Sequence, residues 1–312
     1  MIKVEGISHR FGSFLALQDV WFRVPRGEIF GFIGPNGAGK TTTLRMMATL
    51  LQPDVGRVLI DGIDVVEDPA AIRQLIGFMP DDFGVYERVT VQEYLDFFAA
   101  AHGLTYESRG RTVDAVMELT ELGGLRTRLV AQMSKGMKQR LAIARTLLHD
   151  PEVLILDEPA NGLDPRARIE MRDLIEELQS LGKTIVLSSH ILTELSDMCT
   201  SVAILEKGRL LAAGTVGEIG ETLNPERAVR LRFLAHPAHA TDVTSAFAQL
   251  PFVGAIERQP DGDYRVAYRG GDSEVAAIVA TAVGAGLLVV RVEPDVNDLE
   301  RIFLEVTKGE LQ

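Results

Sequence analysis

The sequence has 312 residues with 32 Lys plus Arg against 44 Asp plus Glu, a net charge of −12, and is 46% hydrophobic and 24% charged. That composition excludes disordered, collagen-like and disulfide-scaffold chains, and the length predicts about two domains. Residues 1–221 hold 23 basic and 31 acidic side chains and residues 222–312 hold 9 and 13, so neither part offers the basic surface that nucleic acid or anionic lipid would attract. The one cysteine, Cys199, has no internal partner and is expected to be a small packed side chain. Residues 1–5 form no apolar leader. The longest uncharged stretch, 275–290, is 16 residues long with Gly284 and Gly286 inside it. A membrane helix needs roughly 20 apolar residues, so this stretch is expected to be a buried helix running into a strand.

In chain order, residues 1–66 are strand-rich. Ile29-Phe30-Gly31-Phe32-Ile33 is a short apolar run ending in glycine, and the Asp61-Gly62 pair after Arg57-Val58-Leu59-Ile60 favours a hairpin turn. From about 67 to 150 the periodicity is helical. Thr90 with Glu93 three residues on predicts a capped helix that buries Val91, Tyr94, Leu95 and Phe98 and stops before Gly103. A second helix over about 107–122 carries Val113, Val116, Met117 and Thr120 on one side. A third starts at Ser134 and ends before Asp150-Pro151. Continuous apolar runs at 153–156 and 184–187, with a helix over about 166–181 between them, predict strands buried on both faces of a largely parallel sheet. The pattern breaks at Glu221-Thr222-Leu223-Asn224-Pro225, where a domain boundary is expected. Beyond it, Val229, Leu231 and Phe233 point inward and Arg230 and Arg232 outward. A helix (241–250), two strands (252–258, 263–268), a helix (272–285) and a strand (287–293) then give the β-α-β-β-α-β order of a split βαβ domain. A last helix is expected from Asn297, with Glu300 three residues on and Leu299, Ile302, Phe303 and Val306 buried.

Gly34-Pro35-Asn36-Gly37-Ala38-Gly39-Lys40-Thr41 fits G-x-x-x-x-G-K-[ST], with an apolar strand before it and a helical segment from Thr42 after it. Wrapping a polyphosphate in backbone N–H groups needs glycine at the tight bends, and the following helix start favours anions. Lys40 is expected to reach the β- and γ-phosphates and the Thr41 hydroxyl to ligate Mg²⁺. Leu154-Ile155-Leu156-Asp157-Glu158 ends a buried strand in two acids at the carboxyl edge of the sheet. Asp157 is expected to hold Mg²⁺ and Glu158 to orient and deprotonate an attacking water.

With these residues in place, the first 221 residues resemble the nucleotide-binding subunit of ABC transporters. Ser134-Lys135-Gly136-Met137-Lys138-Gln139-Arg140, 23 residues before Asp157, stands where that family places its LSGGQ signature. Ser134 and Gly136 match; Met133, Lys135 and Met137 depart. A serine N-cap with glycine in the first turn suits a γ-phosphate, which in the family belongs to the opposite subunit. The resemblance also implies roles for Phe11 (stacking on adenine), for Asp164 in Asn161-Gly162-Leu163-Asp164-Pro165 (facing the partner subunit), and for His190 after Ser188-Ser189 (contacting the γ-phosphate). The family's usual glutamine after the strand at 75–80 is replaced here by Asp81, a shorter, charged oxygen donor that is expected to take over the Mg²⁺ contact. Phe83, Tyr86, Tyr94, Phe97 and Phe98 have two readings: core filling, or a groove that receives a helix from a membrane subunit.

The expected fold is therefore an α/β P-loop NTPase domain with mixed sheet over 1–221, with a helical subdomain at about 84–150, plus a small α+β domain over 222–312. The resemblance implies an ATPase that uses ATP and Mg²⁺, forms a homodimer across its ATP sites, and powers transport, with a lean to export, through a separate polytopic permease. It also implies a cytoplasmic chain, peripheral on the membrane through that permease. A soluble ABC-type ATPase is the alternative. A P-loop kinase lacks an acceptor pocket and has no need of the Ser134 series. His236 and His239 flank Pro237 and do not share a helical face, so no metal is expected there. His9, His102 and His149 are expected at turns or helix ends.

Overall fold

The computed structural model describes residues 1–191, 195, 198–215, 218–219, 227–234 and 241–294. The break at Glu221 to Pro225, the His236–His239 pair and the helix expected from Asn297 lie outside the described residues. The chain divides into two compact units, Met1–Val216 and Gly217–Gln312.

The first unit begins with an antiparallel sheet. Strands β1 (Ile2–Phe11), β2 (Phe14–Val24), β4 (Val55–Ile60) and β5 (Ile63–Asp64) are ordered β2-β1-β4-β5. The Asp61-Gly62 turn joins β4 to β5 with both φ angles positive, 52° and 85°, the geometry a two-residue hairpin requires. A six-stranded sheet lies against it, built from β3 (Ile29–Ile33), β6 (Ile76–Met79), β7 (Val153–Asp157), β8 (Thr184–Ser189), β9 (Ser201–Glu206) and β10 (Arg209–Gly214). Its order is β10-β9-β3-β8-β7-β6, parallel throughout except for β10 at the edge. Every residue of β3, β7 and β8 is buried, which is why these strands read as unbroken apolar runs rather than alternating ones. Phe22 of β2 meets Phe30 and Phe32 of β3 at ring-centroid distances of 5.4 and 5.1 Å, joining the two sheets in one core.

Helix α1 (Lys40–Met47) follows β3, and α2 (Pro69–Leu75) precedes β6. The helical region contains α3 (Val91–Ala101), α4 (Tyr106–Leu119) and α5 (Lys135–Leu147). The Thr90–Glu93 pair forms a reciprocal capping box, and Ser134 caps α5 by accepting from Met137 N at 3.3 Å. Helix α6 (Pro165–Ser180) crosses from β7 to β8, capped by Asp164.

The second unit holds β11 (Arg227–Phe233), α7 (Thr241–Phe247), β12 (Val253–Arg258), β13 (Tyr264–Tyr268), α8 (Asp272–Gly284) and β14 (Val289–Pro294). Its sheet is antiparallel in the order β12-β13-β11-β14, the arrangement that the β-α-β-β-α-β succession builds. Val229, Leu231, Phe247, Val266 and Ile278 fill its core. On the other face, Arg232 grips the buried Asp263 with two hydrogen bonds, 2.6 and 3.1 Å, which hold that carboxyl below the usual range. The stretch 275–290 does turn from helix into strand, but it is only partly buried. Ile278 and Ala282 face inward while Val283, Leu288 and Val290 are exposed.

Candidate active site

The loop between β3 and α1 closes at Gly39, whose φ of 107° belongs to glycine, and a Cβ there would stand 2.6 Å from Leu17 Cδ2. Gly34 is equally constrained: a Cβ would lie 2.4 Å from the Leu205 carbonyl oxygen. Lys40 is buried, and its ammonium donates to Gly34 O at 2.6 Å and to Pro35 O at 3.4 Å. It lies 3.7 Å from Glu158 Oε1. Burial lowers the Lys40 pKa, and the charges of Glu158 and Asp157 oppose that shift.

Asp157 ends β7 opposite Ser188 of β8. Its Oδ1 accepts from the Ser188 hydroxyl at 2.6 Å and from the Thr41 hydroxyl at 3.2 Å. Burial pushes this carboxyl upward; the two hydroxyls counter it, and the nearby charges of Asp81 and Glu158 add to it. Glu158 sits at φ 51°, a left-handed conformation rare for a side-chain-bearing residue, and its N–H donates to Ser188 Oγ at 3.0 Å. Its other carboxylate oxygen, Oε2, is 2.7 Å from His190 Nδ1. Asp81 is exposed and accepts from Asn161 Nδ2 at 3.1 Å.

These groups border one cleft of about 210 Å³, lined by Phe11, Phe14, Ala16, Pro35 to Thr42, Asp81 and Glu158. Of the residues singled out in the sequence, the structure brings together Phe11, the loop with Pro35, Asn36, Gly37, Ala38, Gly39, Lys40, Thr41 and Thr42, and Asp81 and Glu158. Asp157 is bonded to Thr41 and His190 to Glu158. Ser134, Gly136 and Asp164 are not among the lining residues. Ser134 is exposed at the start of α5, Gly136 packs beside Ala167 and Leu163, and Asp164 is occupied in capping α6 through Ala167 N at 3.0 Å.

Three residues of the site were given no role by the sequence. Phe14 lines the cleft across the hairpin from Phe11. Ser188 and Asn161 lie inside the motifs quoted above, yet only the register of β7 on β8 and the fold of the 158–164 loop give them partners. His9 departs from the expectation of a turn: it is buried in β1, with its ring edge-on to Phe11 at 4.7 Å. In the aromatic group, Tyr94 alone is fully buried, while Tyr86 and Phe97 are more than half exposed around it. Tyr86, Tyr94 and Phe97 line a groove with Glu87, Arg88, Val89 and Glu93, while Phe83 and Phe98 are half-buried outside that lining.

Beside that groove is a cavity of about 310 Å³ lined by Arg73, Arg145, His102 and His149 together with Phe78 and Phe98. Among the described residues, no helix is long and apolar enough to cross a membrane.

The ABC transporter family model matches residues 17–161. The chain is 38% identical over 235 residues to the ABC transporter ATP-binding protein NatA of Bacillus subtilis, covering 72% of this chain and 94% of that protein. It is 36% identical to the probable multidrug ABC transporter ATP-binding protein YbhF of Escherichia coli over 73% of this chain. There it spans 39% of the relative's length. A solved dimeric ATP-binding cassette in a post-hydrolysis state, bound to ADP and Pi, superposes with a TM-score of 0.62 at 25% identity, covering 69% of this chain and 98% of that one.

Proposed function

This chain belongs to the ABC transporter family as an ATP-binding, ATP-hydrolysing subunit, and from that premise we propose that two copies sandwich ATP and drive export through a separate membrane permease. The observation that carries the reading is the convergence of Lys40, Thr41 and Glu158 on one cleft, with Asp157 bonded to Thr41 and His190 to Glu158, while Ser134 and Gly136 neither line it nor bond to its lining. A cleft that lacks its serine-led helix start is completed by a second copy.

In the reaction, Lys40 exchanges its carbonyl partners for the β- and γ-phosphate oxygens. Glu158, held by His190 and lying beside Lys40, accepts the proton of the attacking water as its oxygen bonds to the γ-phosphorus. The bond to the bridging oxygen breaks and ADP leaves with phosphate. His190 contacts the γ-phosphate, Phe11 stacks on the base, and Asp164 stands at the junction of the two copies.

Among the described residues, no three His, Cys, Asp or Glu side chains gather to hold a metal ion unaided. The hydroxyl of Thr41 and the carboxylate of Asp157 nonetheless turn to each other at the cleft, with Asp81 nearby. Such a sparse oxygen set suits Mg²⁺, which takes one or two carboxylates and draws its other ligands from phosphate and water. Thr41, Asp157 and Asp81 would hold the ion, which neutralises charge on the phosphoryl oxygens. The Tyr86–Phe97 groove is the surface for a permease helix, and this contact brings the chain to the cytoplasmic face of the membrane.

The test is ATP turnover by the full chain, alone and with its membrane partner, against Lys40→Ala and Glu158→Gln. Both substitutions are expected to lower turnover at least ~100-fold. Turnover unchanged in Glu158→Gln would remove the general base from this scheme.

A further inference from the structure

We propose that Phe14 is a second nucleobase-binding residue, forming with Phe11 an aromatic pair that holds the base by ring contact without reading its edge. The inference rests on the ATP-binding reading above and deepens the same cleft. Phe11 and Phe14 are directly paired across the β1–β2 hairpin, whose two-residue turn begins at Gly12 with φ 62°. Directly opposed residues of an antiparallel pair project on the same face, so both rings rise on one side of the hairpin. They are 52% and 53% exposed, and both line the cleft.

The two rings differ in support. Phe11 rests on the edge of His9, whereas Phe14 makes no ring contact among the described residues. Ala16, the small buried residue where the β1–β2 register shifts, lines the cleft between the hairpin and the glycine-rich loop. The charged and hydrogen-bonding side chains of the cleft, Asn36, Lys40, Thr41, Thr42, Asp81 and Glu158, come from the glycine-rich loop, the first turn of α1 and the carboxyl ends of the sheet; the hairpin contributes Phe11, Phe14 and Ala16. A planar ring covers two exposed aromatic side chains and recovers stacking, an interaction available to any base.

The experiment measures the affinity of the full chain for ATP and for inorganic tripolyphosphate, in the parent protein and in Phe14→Ala, Phe14→Tyr and Phe11→Ala. Phe14→Ala is expected to weaken ATP binding by about fivefold to fiftyfold, comparably to Phe11→Ala, with tripolyphosphate binding unchanged. KM for ATP should rise while kcat at saturation stays within about twofold, and Phe14→Tyr should restore parental affinity. GTP should bind within a few-fold of ATP. The proposal is overturned if Phe14→Ala leaves ATP affinity within twofold of the parent, or if it weakens ATP and tripolyphosphate equally. A parent protein that binds neither would instead overturn the ATPase reading itself. Phe14 is exposed at a hairpin tip, so the substitution leaves the core intact.

Discussion

Ser188 and Asp157 face each other in neighbouring parallel strands, and the Ser188 hydroxyl donates to Asp157 Oδ1 at 2.6 Å while accepting from Glu158 N at 3.0 Å. One hydroxyl thus fixes a buried carboxylate and the backbone of the acid that follows it. Ser188→Ala leaves Asp157 with only the longer Thr41 bond and orphans the Glu158 amide. The expected cost is about 1–3 kcal/mol of stability, with ATP turnover reduced and Glu158 less well placed. Denaturant unfolding and turnover of the same preparation check it; unchanged values for both would make the hydroxyl dispensable.

Asp157 gives a stability prediction of the opposite sign. Its folded pKa is raised, chiefly by burial, so the folded state binds this proton more tightly than the unfolded chain does. The ionised group therefore costs stability above its folded pKa, and the cost fades as pH falls toward the ordinary carboxylate range. Both hydroxyls donate to Oδ1, which Asp157→Asn retains. The nucleotide-free Asp157→Asn protein should therefore unfold at higher denaturant than the parent at neutral pH, with the gap shrinking on acidification, while ATP turnover is lost. Equal midpoints at pH 7.5, or a gap that widens toward pH 4, would refute the assignment of the shift to burial.

Glu158→Gln keeps the side-chain shape and removes the base. In the two-copy scheme, ATP is then bound without being consumed, so the ATP-bound dimer should accumulate. Size-exclusion chromatography with saturating ATP should show a dimer for Glu158→Gln and a monomer once nucleotide is removed. Adding Ser134→Ala, which removes a cap worth about 1 kcal/mol and its hydroxyl, should weaken that dimer without weakening ATP binding to the monomer. A monomer at saturating ATP contradicts the sandwich.

The chemistry at the strand ends was legible because it is local. Lys40 and Thr41 follow a glycine pattern, Asp157 and Glu158 end an unbroken apolar run, and Thr90 with Glu93 spells out its own cap. Phe14 was not legible: its meaning comes from a hairpin turn that returns the chain beside Phe11, and β1 and β2 lack a clean alternation because register shifts interrupt their pairing. The same holds for Asn161, which finds Asp81 across 80 residues of sequence. The second unit was readable as an element order because each of its strands is short and half-buried. Its apolar 275–290 stretch misled as to burial, since apolar composition alone does not say which face of a helix is covered.

Asp81 stands where the resemblance leads one to expect glutamine, and Asn161 aims its carboxylate by a 3.1 Å hydrogen bond. Removing the carboxylate by Asp81→Ala should raise the Mg²⁺ concentration needed for half-maximal turnover by about tenfold, and Asp81→Gln should recover part of it. A Mg²⁺ titration of turnover decides the point. Superimposable curves for parent and Asp81→Ala would leave Asp81 as a solvated loop acid.

The partner surface yields the last prediction through its charge. In a chain of net charge −12, the cavity beside the aromatic groove gathers Arg73, Arg145, His102 and His149 and is lined by no carboxylate. Among the described residues, the Arg73 side chain bonds only the Thr49 hydroxyl, at 2.9 Å, and Arg145 meets the Tyr94 hydroxyl at 3.2 Å and the face of Phe98. Burial and the neighbouring His149 and Arg145 lower the His102 pKa, and the two arginines bring permanent positive charge to the cavity. A permease helix in the Tyr86–Phe97 groove, as proposed above, would meet this neighbouring cavity best with an acidic side chain, and rim charges of this kind govern association more than folding. Arg73→Glu should therefore cut the amount of chain recovered with its membrane partner by about tenfold, Arg73→Lys should not, and basal ATP turnover of the free chain should be the same for both. Arg73 is exposed, so neither substitution disturbs the core. Equal recovery of Arg73→Glu and parent with the membrane partner would place the docking contact elsewhere on the chain.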